Sequence, residues 1–345
     1  MTRELLNTLF VGMEGAMVRL DGDTLTVFVD GAKRLQVPIH HLGSIYLFGS
    51  AHMTAPAMER CAEEGRTVAY FTAFGKFRFR VTGPICGNVL LRQAQYESQR
   101  DPMRTLGIAR CIVAGKIQNQ RALVLRAARD TKDETNRNLL QSAAHAMAVR
   151  LADLPGSMDL DGIRGVEGQV AALYFNVFGA MITVPSTEFA FHVRSRRPPR
   201  DRMNALLSFL YALLTMDCTA ACEGVGLDPQ FGFLHCLRPG RPALALDLME
   251  EFRPLTADRL ALSLVNRRQL QSKHFVEREG AGESVLLTSD GRKIVLEAYQ
   301  KRKMEEVIHP LLKDKAPLGL LPHLQARLFA RHLRGDLEMY LPFTA

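Results

Sequence analysis

The chain has 345 residues, of which 47% are hydrophobic and 23% are charged, enough to bury one large core or two ordinary ones. This composition excludes a largely disordered chain. Lys and Arg number 44 against 36 Asp and Glu, and the formal net charge of +8 favours a polyanionic partner such as nucleic acid. The charge indicates a class of partner and no reaction, because a basic housekeeping enzyme would show the same balance.

The start of the chain and its cysteines bear on where the protein resides. Residues 1–4 lead into a short strand-like run that lacks a signal peptide's long apolar region, and no uncharged run approaches the length of a membrane span. We therefore expect a cytoplasmic protein with no membrane partner. The cysteines lack the Cys-x-x-Cys spacing of a structural zinc site, so reduced and mostly buried thiols are favoured. They are Cys61, Cys86, Cys111, Cys218, Cys222 and Cys236.

Short β-rich runs fill the first eighty or so residues, interrupted by one helical stretch from Ala55 to Glu64. The run from Gly75 to Val81 alternates apolar and basic residues, as a strand does when one face meets a core and the other meets solvent or phosphate. We predict a small sandwich-like β domain over residues 1–83. The other predicted strands are Leu5 to Val11, Met17 to Leu20, Thr24 to Val29, Ile45 to Phe48 and Thr67 to Phe71.

Longer helical periods begin near Asn88 and predict a larger, mainly α-helical domain over residues 84–345, so the predicted fold class is α+β. A basic, proline-interrupted loop, Arg194 to Arg200, favours solvation slightly over DNA contact. The predicted helices are Leu106 to Arg129, Leu139 to Ala152, Gly168 to Phe178, Ala205 to Ala221, Ala257 to Gln271 and Ile294 to Ile308. On the first of them, a solvated face and a phosphate-facing strip are alternative interpretations of Arg110, Lys116, Arg121, Arg126 and Arg129.

Three segments carry side chains suited to phosphodiester chemistry, which a divalent cation assists by stabilising charge and activating a hydroxyl. In the first, Glu167 stands between Gly165 and Gly168 at the predicted start of an apolar helix. An ordinary acid at a helix N-terminus is the alternative interpretation. Tyr174, seven residues on, shares roughly the same helix face, where it contacts substrate or packs.

The second and third segments lie close together in the chain. His235 follows a Gly/Pro-rich loop and precedes Arg238 and Arg241, which suits a ligand beside a bound phosphodiester, although a lone histidine is usually structural. Asp247 and Glu250 are three residues apart, so on a helix they share a face, which Arg253 extends. Such an acidic pair is by itself a weak signal. Together, Glu167, His235 and Glu250 supply two carboxylates and one imidazole, a ligand set suited to Mg²⁺ or Mn²⁺.

At these segments the chain resembles the Cas-one (Cas1) integrase family of CRISPR adaptation. The resemblance covers essentially the whole chain, and its opening Leu5-Leu6-Asn7-Thr8-Leu9 and its ending Gly319 to Arg327 resemble subtype I-C members. The matching stretches are Gly165-Val166-Glu167-Gly168, Arg196-Arg197-Pro198-Pro199 leading to Asn204 and Ser208, Gly226-Leu227-Asp228-Pro229 to His235, and Asp247 to Pro254. One departure is Arg202, where members often carry proline.

The resemblance implies an N-terminal β dimerisation domain, a helical catalytic domain, a homodimer, and a complex in which two dimers flank a dimer of the small partner Cas-two (Cas2). It implies Mg²⁺ or Mn²⁺ as the cofactor. Glu167, His235 and Glu250 match the family's metal-binding and catalytic positions, and Asp247 matches a supporting carboxylate. The positions matched to DNA binding or to motifs near the active centre are Arg238, Arg241, Arg253, Asn204 and Tyr174.

The implied activity is insertion of short double-stranded DNA fragments into a CRISPR array by transesterification, in which a 3′-hydroxyl attacks a phosphodiester at a repeat boundary. With water as the nucleophile, the same centre would act as an endonuclease. Recognition is expected through backbone and shape, and to weaken with salt. Two alternatives are a stand-alone metal-dependent nuclease in DNA repair and a non-catalytic DNA-binding scaffold.

Overall fold

The N-terminal part of the chain is built from β-strands. The computed structural model describes residues 6–83, 89–185, 187–278 and 284–345. Leu5, the first residue of a predicted strand, and Cys86 lie outside the described residues. The strands are β1 (Asn7–Val11), β2 (Met17–Asp21), β3 (Thr24–Val29), β4 (Ala32–Pro38), β5 (Leu42–Phe48), β6 (His52–Met53), β7 (Thr67–Phe71) and β8 (Phe77–Val81), with helix α1 (Ala55–Glu63) between β6 and β7.

These strands form two four-stranded sheets with the orders β1-β5-β7-β8 and β4-β3-β2-β6. Both sheets are mixed, since β1, β5 and β7 run parallel, β8 is antiparallel to β7, and β6 is parallel to β2. One buried apolar cluster joins the sheets and includes Val18, Leu25, Ile45 and Val68. The sandwich-like β-rich region predicted from the sequence is confirmed.

Helices dominate the rest of the chain. They are α2 (Val89–Arg100), α3 (Pro102–Asp130), α4 (Glu134–Asp153), α5 (Leu160–Phe178), α6 (Arg202–Val225), α7 (Ala243–Met249), α8 (Arg259–Asn266), α9 (Ser289–Met304) and α10 (Leu321–Leu333), with a π-helical turn over Arg253–Asp258. Two small hairpins accompany them, β9 (Phe275–Arg278) with β10 (Ser284–Leu287) and β11 (Glu306–Ile308) with β12 (Lys315–Pro317). The α+β class is therefore confirmed.

The β region and the helical region share a core through β5. Side chains alternate along a strand, so Ile45 faces the other sheet while Tyr46 and Phe48 belong to the helical core. Phe48 lies 6.4 Å from Phe209 of α6, centroid to centroid. The Tyr46 hydroxyl donates to Asp217 of α6 over 3.4 Å. The predicted domain boundary between residues 83 and 84 stays a prediction, because residues 84–88 lie outside the described part.

Several predicted elements differ from those observed. Strand β4 was not predicted, because its only apolar alternation is the short run Leu35-Gln36-Val37 and most of its residues are exposed. The apolar face of β8 meets the core only at Val81, since Phe77 and Phe79 are 40% and 52% exposed. The predicted helix from Ala257 to Gln271 is split between the π-helical turn and α8, and the one from Ile294 to Ile308 ends at Met304, before β11.

Helix α6 lies at the centre of the helical region. Asp201 caps its first turn by accepting from the backbone N–H of Asn204 over 2.7 Å, and Gly226 ends it in the left-handed conformation. By length and composition α6 alone among the described helices is apolar enough to cross a membrane. It is mostly buried within the protein, as the core helix of a soluble fold also is, and it includes the buried Cys218 and Cys222.

Candidate active site

Four elements bring the predicted metal residues together with one lysine. Helix α5 carries Glu167, the loop after α6 carries His235, and Glu250 directly follows α7. Lys116 of α3 donates to Glu167 and lies 2.7 Å from Oε2 of Glu250. Nε2 of His235 lies 3.7 Å from Oε1 of Glu250, which also pairs with Arg253 over 3.0 Å. We call Lys116, Glu167, His235, Glu250 and Arg253 the central cluster.

Asp247 fixes the orientation of His235. Its carboxylate accepts from the backbone N–H groups of Phe233, Leu234 and His235 over 2.6–3.0 Å, and lies 2.6 Å from Nδ1 of the His235 ring. Because Nδ1 is engaged with Asp247, Nε2 is the ring nitrogen that faces Glu250. The loop passes so close to α7 that a Cβ at Gly232 would lie 2.7 Å from Oδ2 of Asp247. The backbone thus holds both the carboxylate and the imidazole in place.

Glu250 is a buried carboxylate kept charged by its neighbours. The residue is 2% exposed. Burial by itself would raise its pKa, but Arg253, Lys116 and His235 lower the pKa to about 2. The helical face shared by Asp247 and Glu250 is therefore not the solvated surface that an acidic pair usually marks, since Asp247 is only 1% exposed. Glu250 is therefore ionised at neutral pH.

The central cluster carries the oxygen and imidazole donors that Mg²⁺ or Mn²⁺ prefers. Oε2 of Glu250 is buried and lies 2.7 Å from the ammonium group of Lys116, so a cation already occupies the position beside this oxygen. Within residues 6–83, 89–185, 187–278 and 284–345, no three His, Cys, Asp or Glu side chains form a metal-holding group by themselves. The ammonium group of Lys116 lies between Glu167 and Glu250 instead. The donors fit the ion once this ammonium group moves aside, and their role as ligands stays a prediction.

Glu167 lies in the interior of α5 and not at its start. The helix begins at Leu160 after Asp159, whose side chain accepts from the backbone N–H of Gly162 over 2.8 Å. The predicted position at a helix N-terminus is therefore wrong, because Gly165 does not interrupt the helix. One turn before Glu167, Arg164 donates to the Leu234 carbonyl over 2.9 Å and 3.0 Å, which ties α5 to the loop of His235.

A polar network lies behind Arg253. Its guanidinium group is 4.9 Å from the ring centroid of Tyr211, and the Tyr211 hydroxyl donates to Asp258 over 2.7 Å. Tyr174 donates to the other oxygen of Asp258 over 2.7 Å. Burial raises the pKa of Asp258 to about 6 against the opposing effect of these hydrogen bonds. The network fixes Arg253 where it pairs with Glu250.

Two residues that the resemblance associates with DNA lie in the interior. Tyr174 and Asn204 are both 0% exposed. Asn204 accepts from Arg194 over 2.6 Å and donates to the Val193 carbonyl over 2.8 Å, so it anchors the start of the basic loop. This placement corrects the expectation of direct DNA contact for both side chains, because neither reaches the surface. They position their neighbours instead.

The predicted DNA-contacting arginines divide into two groups. Arg238 is exposed and Arg241 is half-buried, at the two ends of a turn closed by a 3.0 Å backbone hydrogen bond. Arg253 instead is engaged with Glu250 and Tyr211. The turn begins three residues after His235, and DNA contact by Arg238 and Arg241 stays a prediction.

The alternative phosphate-facing strip on α3 does not exist as such. Lys116 is 4% exposed and belongs to the central cluster, while Arg110 and Arg121 donate to the backbone carbonyls of Ser157 and Ala144. The sequence analysis therefore missed Lys116 and Arg164 as site residues. The available signal was local, since Lys116 stands among the apolar and small residues Ala114, Gly115 and Ile117, where a solvated lysine is out of place.

Comparison with known sequences identifies relatives along the full length. A family model described as CRISPR associated protein Cas1 matches residues 9–301. CRISPR-associated endonuclease Cas1 1 of Moorella thermoacetica is 54% identical over 339 residues, covering 98% of both chains. CRISPR-associated endonuclease Cas1 2 of Rhodospirillum rubrum is 50% identical over 351 residues, covering 99% of both chains.

Comparison with solved structures matches the fold. A CAS1 protein from Thermotoga maritima superimposes with a TM-score of 0.80 at 21% identity, covering 98% of this chain and 99% of that one. A casposase bound to its integration product gives 0.81 at 22% identity, covering 96% and 92%. A chain of a Cas6-RT-Cas1–Cas2 complex gives 0.82 at 22% identity, covering 99% of this chain and 37% of that one. With most of its length matched by the family model and by close relatives, the chain belongs to the CRISPR-associated protein Cas1 family.

Proposed function

We propose that the chain is a metal-dependent DNA endonuclease and integrase that inserts short DNA fragments into a CRISPR array. The observation that carries the proposal is the convergence of Glu167, His235 and Glu250 from three separate segments onto one point. Relatives named CRISPR-associated endonuclease Cas1 support the nuclease activity, and the casposase solved with its integration product supports strand joining by this fold.

Glu167, Glu250 and Nε2 of His235 would hold a Mg²⁺ or Mn²⁺ ion. Such an ion, when bound, stabilises charge on the reacting phosphate and favours deprotonation of the attacking hydroxyl. Asp247 keeps the His235 ring in the tautomer that presents Nε2. Lys116 and Arg253, each paired with Glu250, place two positive charges beside the position of the phosphate.

Both activities follow from one set of residues because they differ only in the nucleophile. A 3′-hydroxyl of an incoming fragment gives transesterification, and water gives hydrolysis, in each case by in-line attack on the phosphodiester. The leaving 3′-oxygen departs with the strand, and the chain itself forms no covalent bond. Arg238 and Arg241 contact the backbone of the target DNA from their turn.

The proposed assembly is a cytoplasmic homodimer that works with Cas2 on double-stranded DNA. The Cas1 family relationship supports this, together with the fold shared with a chain of the Cas6-RT-Cas1–Cas2 complex. Residues 1–83 as a dimerisation domain, residues 84–345 as a catalytic and DNA-binding domain, and membership of subtype I-C belong to the same proposal.

The test is strand transfer of a labelled short duplex into a supercoiled plasmid that carries a repeat, with Cas2 and Mn²⁺. We expect joined product with the wild type and none with Glu167→Gln or His235→Ala. Glu297→Gln, at an exposed position on α9, is the matched control and retains activity. Nicking without joining would leave the nuclease of DNA repair as the better description. Equal activity of Glu167→Gln and Glu297→Gln would remove the central cluster from the reaction and favour the non-catalytic scaffold.

A further inference from the structure

A second group of basic side chains lies away from the central cluster, in a cleft of about 400 Å³ between α3, α8 and α9. Four arginines line it, and we call them with their surroundings the arginine cleft. Arg126, which lines the cleft, lies ten residues beyond Lys116 on α3, and this corresponds to about 15 Å along the helix axis. The cleft is therefore distinct from the central cluster. Its arginines are Arg126, Arg259, Arg267 and Arg302.

The carboxylates of the cleft do not balance these arginines. Glu305 pairs with Arg302, and Asp130 lies 3.7 Å from Nε of Arg126 in a largely exposed pair, which contributes little. Arg259 and Arg267 make no side-chain hydrogen bond or ion pair with any residue that the structure describes. Two carboxylates thus face four guanidinium groups, and the cleft carries an excess of two positive charges.

Burial works against the charge of two of the arginines, Arg302 and Arg259. Arg302 is 8% exposed, donates to the Leu255 carbonyl over 2.8 Å, and has an Nε without a hydrogen-bond partner among the described residues. Arg259 is half-buried, and burial together with Arg302 and Arg126 lowers its pKa. Four guanidinium groups brought together with only two carboxylates indicate an anionic partner.

We propose that the arginine cleft is a second phosphate-binding site of this protein. The planar guanidinium group matches two phosphate oxygens at once, and Arg259 and Arg267 have all their donors available for this. The hydroxyls of Thr183 and Ser263 line the same cleft and add neutral donors. The phosphate belongs either to a DNA strand that extends from the central cluster or to a free nucleotide. The first source rests on the proposed function, and the second is independent of it.

Arg259→Gln tests the proposal against Arg129→Gln, which removes the same charge from an exposed position of α3 outside the cleft. One arm measures binding of a labelled DNA duplex across a salt series, and the other measures the rise in melting temperature caused by dAMP. Arg267→Gln, also exposed, repeats both arms in a variant whose folding is not at risk.

If a DNA strand occupies the cleft, Arg259→Gln weakens duplex binding roughly tenfold and reduces the salt slope by about 0.9, while Arg129→Gln does neither. If a nucleotide occupies it, Arg259→Gln loses the dAMP effect and keeps duplex binding. If Arg259→Gln and Arg267→Gln match Arg129→Gln in both arms, the site does not exist. Neither arm measures cleavage, so a failure of the proposed catalytic activity would be seen separately.

Discussion

Replacing Lys116 by methionine removes the charge that lies between Glu167 and Glu250 while keeping most of the side-chain volume. The Lys116 side chain is 6% exposed and the Glu250 side chain 2%, so solvent cannot take over the role of the ammonium group. Glu250 would then rely on Arg253, 3.0 Å away, as its remaining close cation. We expect a large loss of stability when no divalent ion is present.

The size of the loss follows from the burial of the pair. Removing one partner of a buried ion pair costs about 3–5 kcal/mol, because the other charge stays buried. Since Arg253 remains paired with Glu250, the lower end of this range applies, about 3 kcal/mol. For 345 residues, an unfolding entropy of about 0.7 kcal/mol per K converts this into a fall in melting temperature of about 4 °C.

The assay is thermal unfolding by circular dichroism, first with EDTA and then with Mn²⁺. Arg129→Met, on the exposed side of the same helix, is the control and should melt within about 1 °C of the wild type. On the proposed function, a divalent ion would replace the missing positive charge, so Mn²⁺ should raise the melting temperature of Lys116→Met by more than that of the wild type. This readout does not depend on catalysis.

A double-mutant cycle with Glu250→Gln decides whether the loss comes from this pair. If the two side chains interact as described, Lys116→Met costs much less in the Glu250→Gln background, with a coupling energy of at least about 1 kcal/mol. An unchanged cost in that background, or an unchanged melting temperature of Lys116→Met in EDTA, would refute the account of Lys116 as the counter-ion of Glu250.

Three further predictions concern the surroundings of the central cluster. A Cβ at Gly115 would lie 2.5 Å from Pro342, so Gly115→Ala should cost about 1–3 kcal/mol, whereas Gly107→Ala on the same helix, with no described atom within 4 Å, should stabilise by up to about 1 kcal/mol in urea unfolding. Asp247→Asn should lower the nicking rate about 10–100-fold, and an unchanged rate would contradict its role in orienting His235. The pKa of Asp258 is raised to about 6, so its folded form binds a proton more tightly than its unfolded form, and stability is lost as pH rises through 6. Between pH 5 and pH 7 the wild type should lose about 1 kcal/mol that Asp258→Asn does not lose, and parallel pH curves would contradict the shift.

The fold was largely predictable because its strands and helices carry the expected periodicity. Thr24–Val29 and Thr67–Phe71 were predicted with the bounds that the structure has. The failures occur where tertiary contacts decide the local structure. Strand β4 is mostly exposed and pairs with β3, and its short alternation Leu35-Gln36-Val37 is a weak strand signal. The helix predicted from Ala257 to Gln271 begins inside a π-helical turn, Arg253–Asp258, in which Tyr174 and Tyr211 donate to the buried Asp258.

The carboxylates and the imidazole of the site were predictable from the sequence. The basic side chains that contact them were not. Glu167, His235 and Glu250 stand out through their sequence context and through the family resemblance. Lys116 lies 51 residues before Glu167 and 134 before Glu250, so no local pattern connects it with either. The same holds for Arg164, which acts on the His235 loop through the Leu234 carbonyl, 70 residues away. Contacts of this kind exist only once the helices have packed.

The charges around the central cluster suit a divalent ion and a phosphodiester taken together. By formal charge, Glu167, Asp247 and Glu250 contribute three negative charges and Lys116 and Arg253 two positive ones, with His235 counted as neutral. Glu251 adds little, because burial raises its pKa to about 8. The net charge of about −1 attracts a divalent cation, and with the ion bound it becomes about +1, which attracts a phosphodiester. Ion and substrate are thus expected to bind in that order. The net charge of the central cluster goes from about −1 to about +1 when the ion binds, and to about zero when the phosphodiester follows.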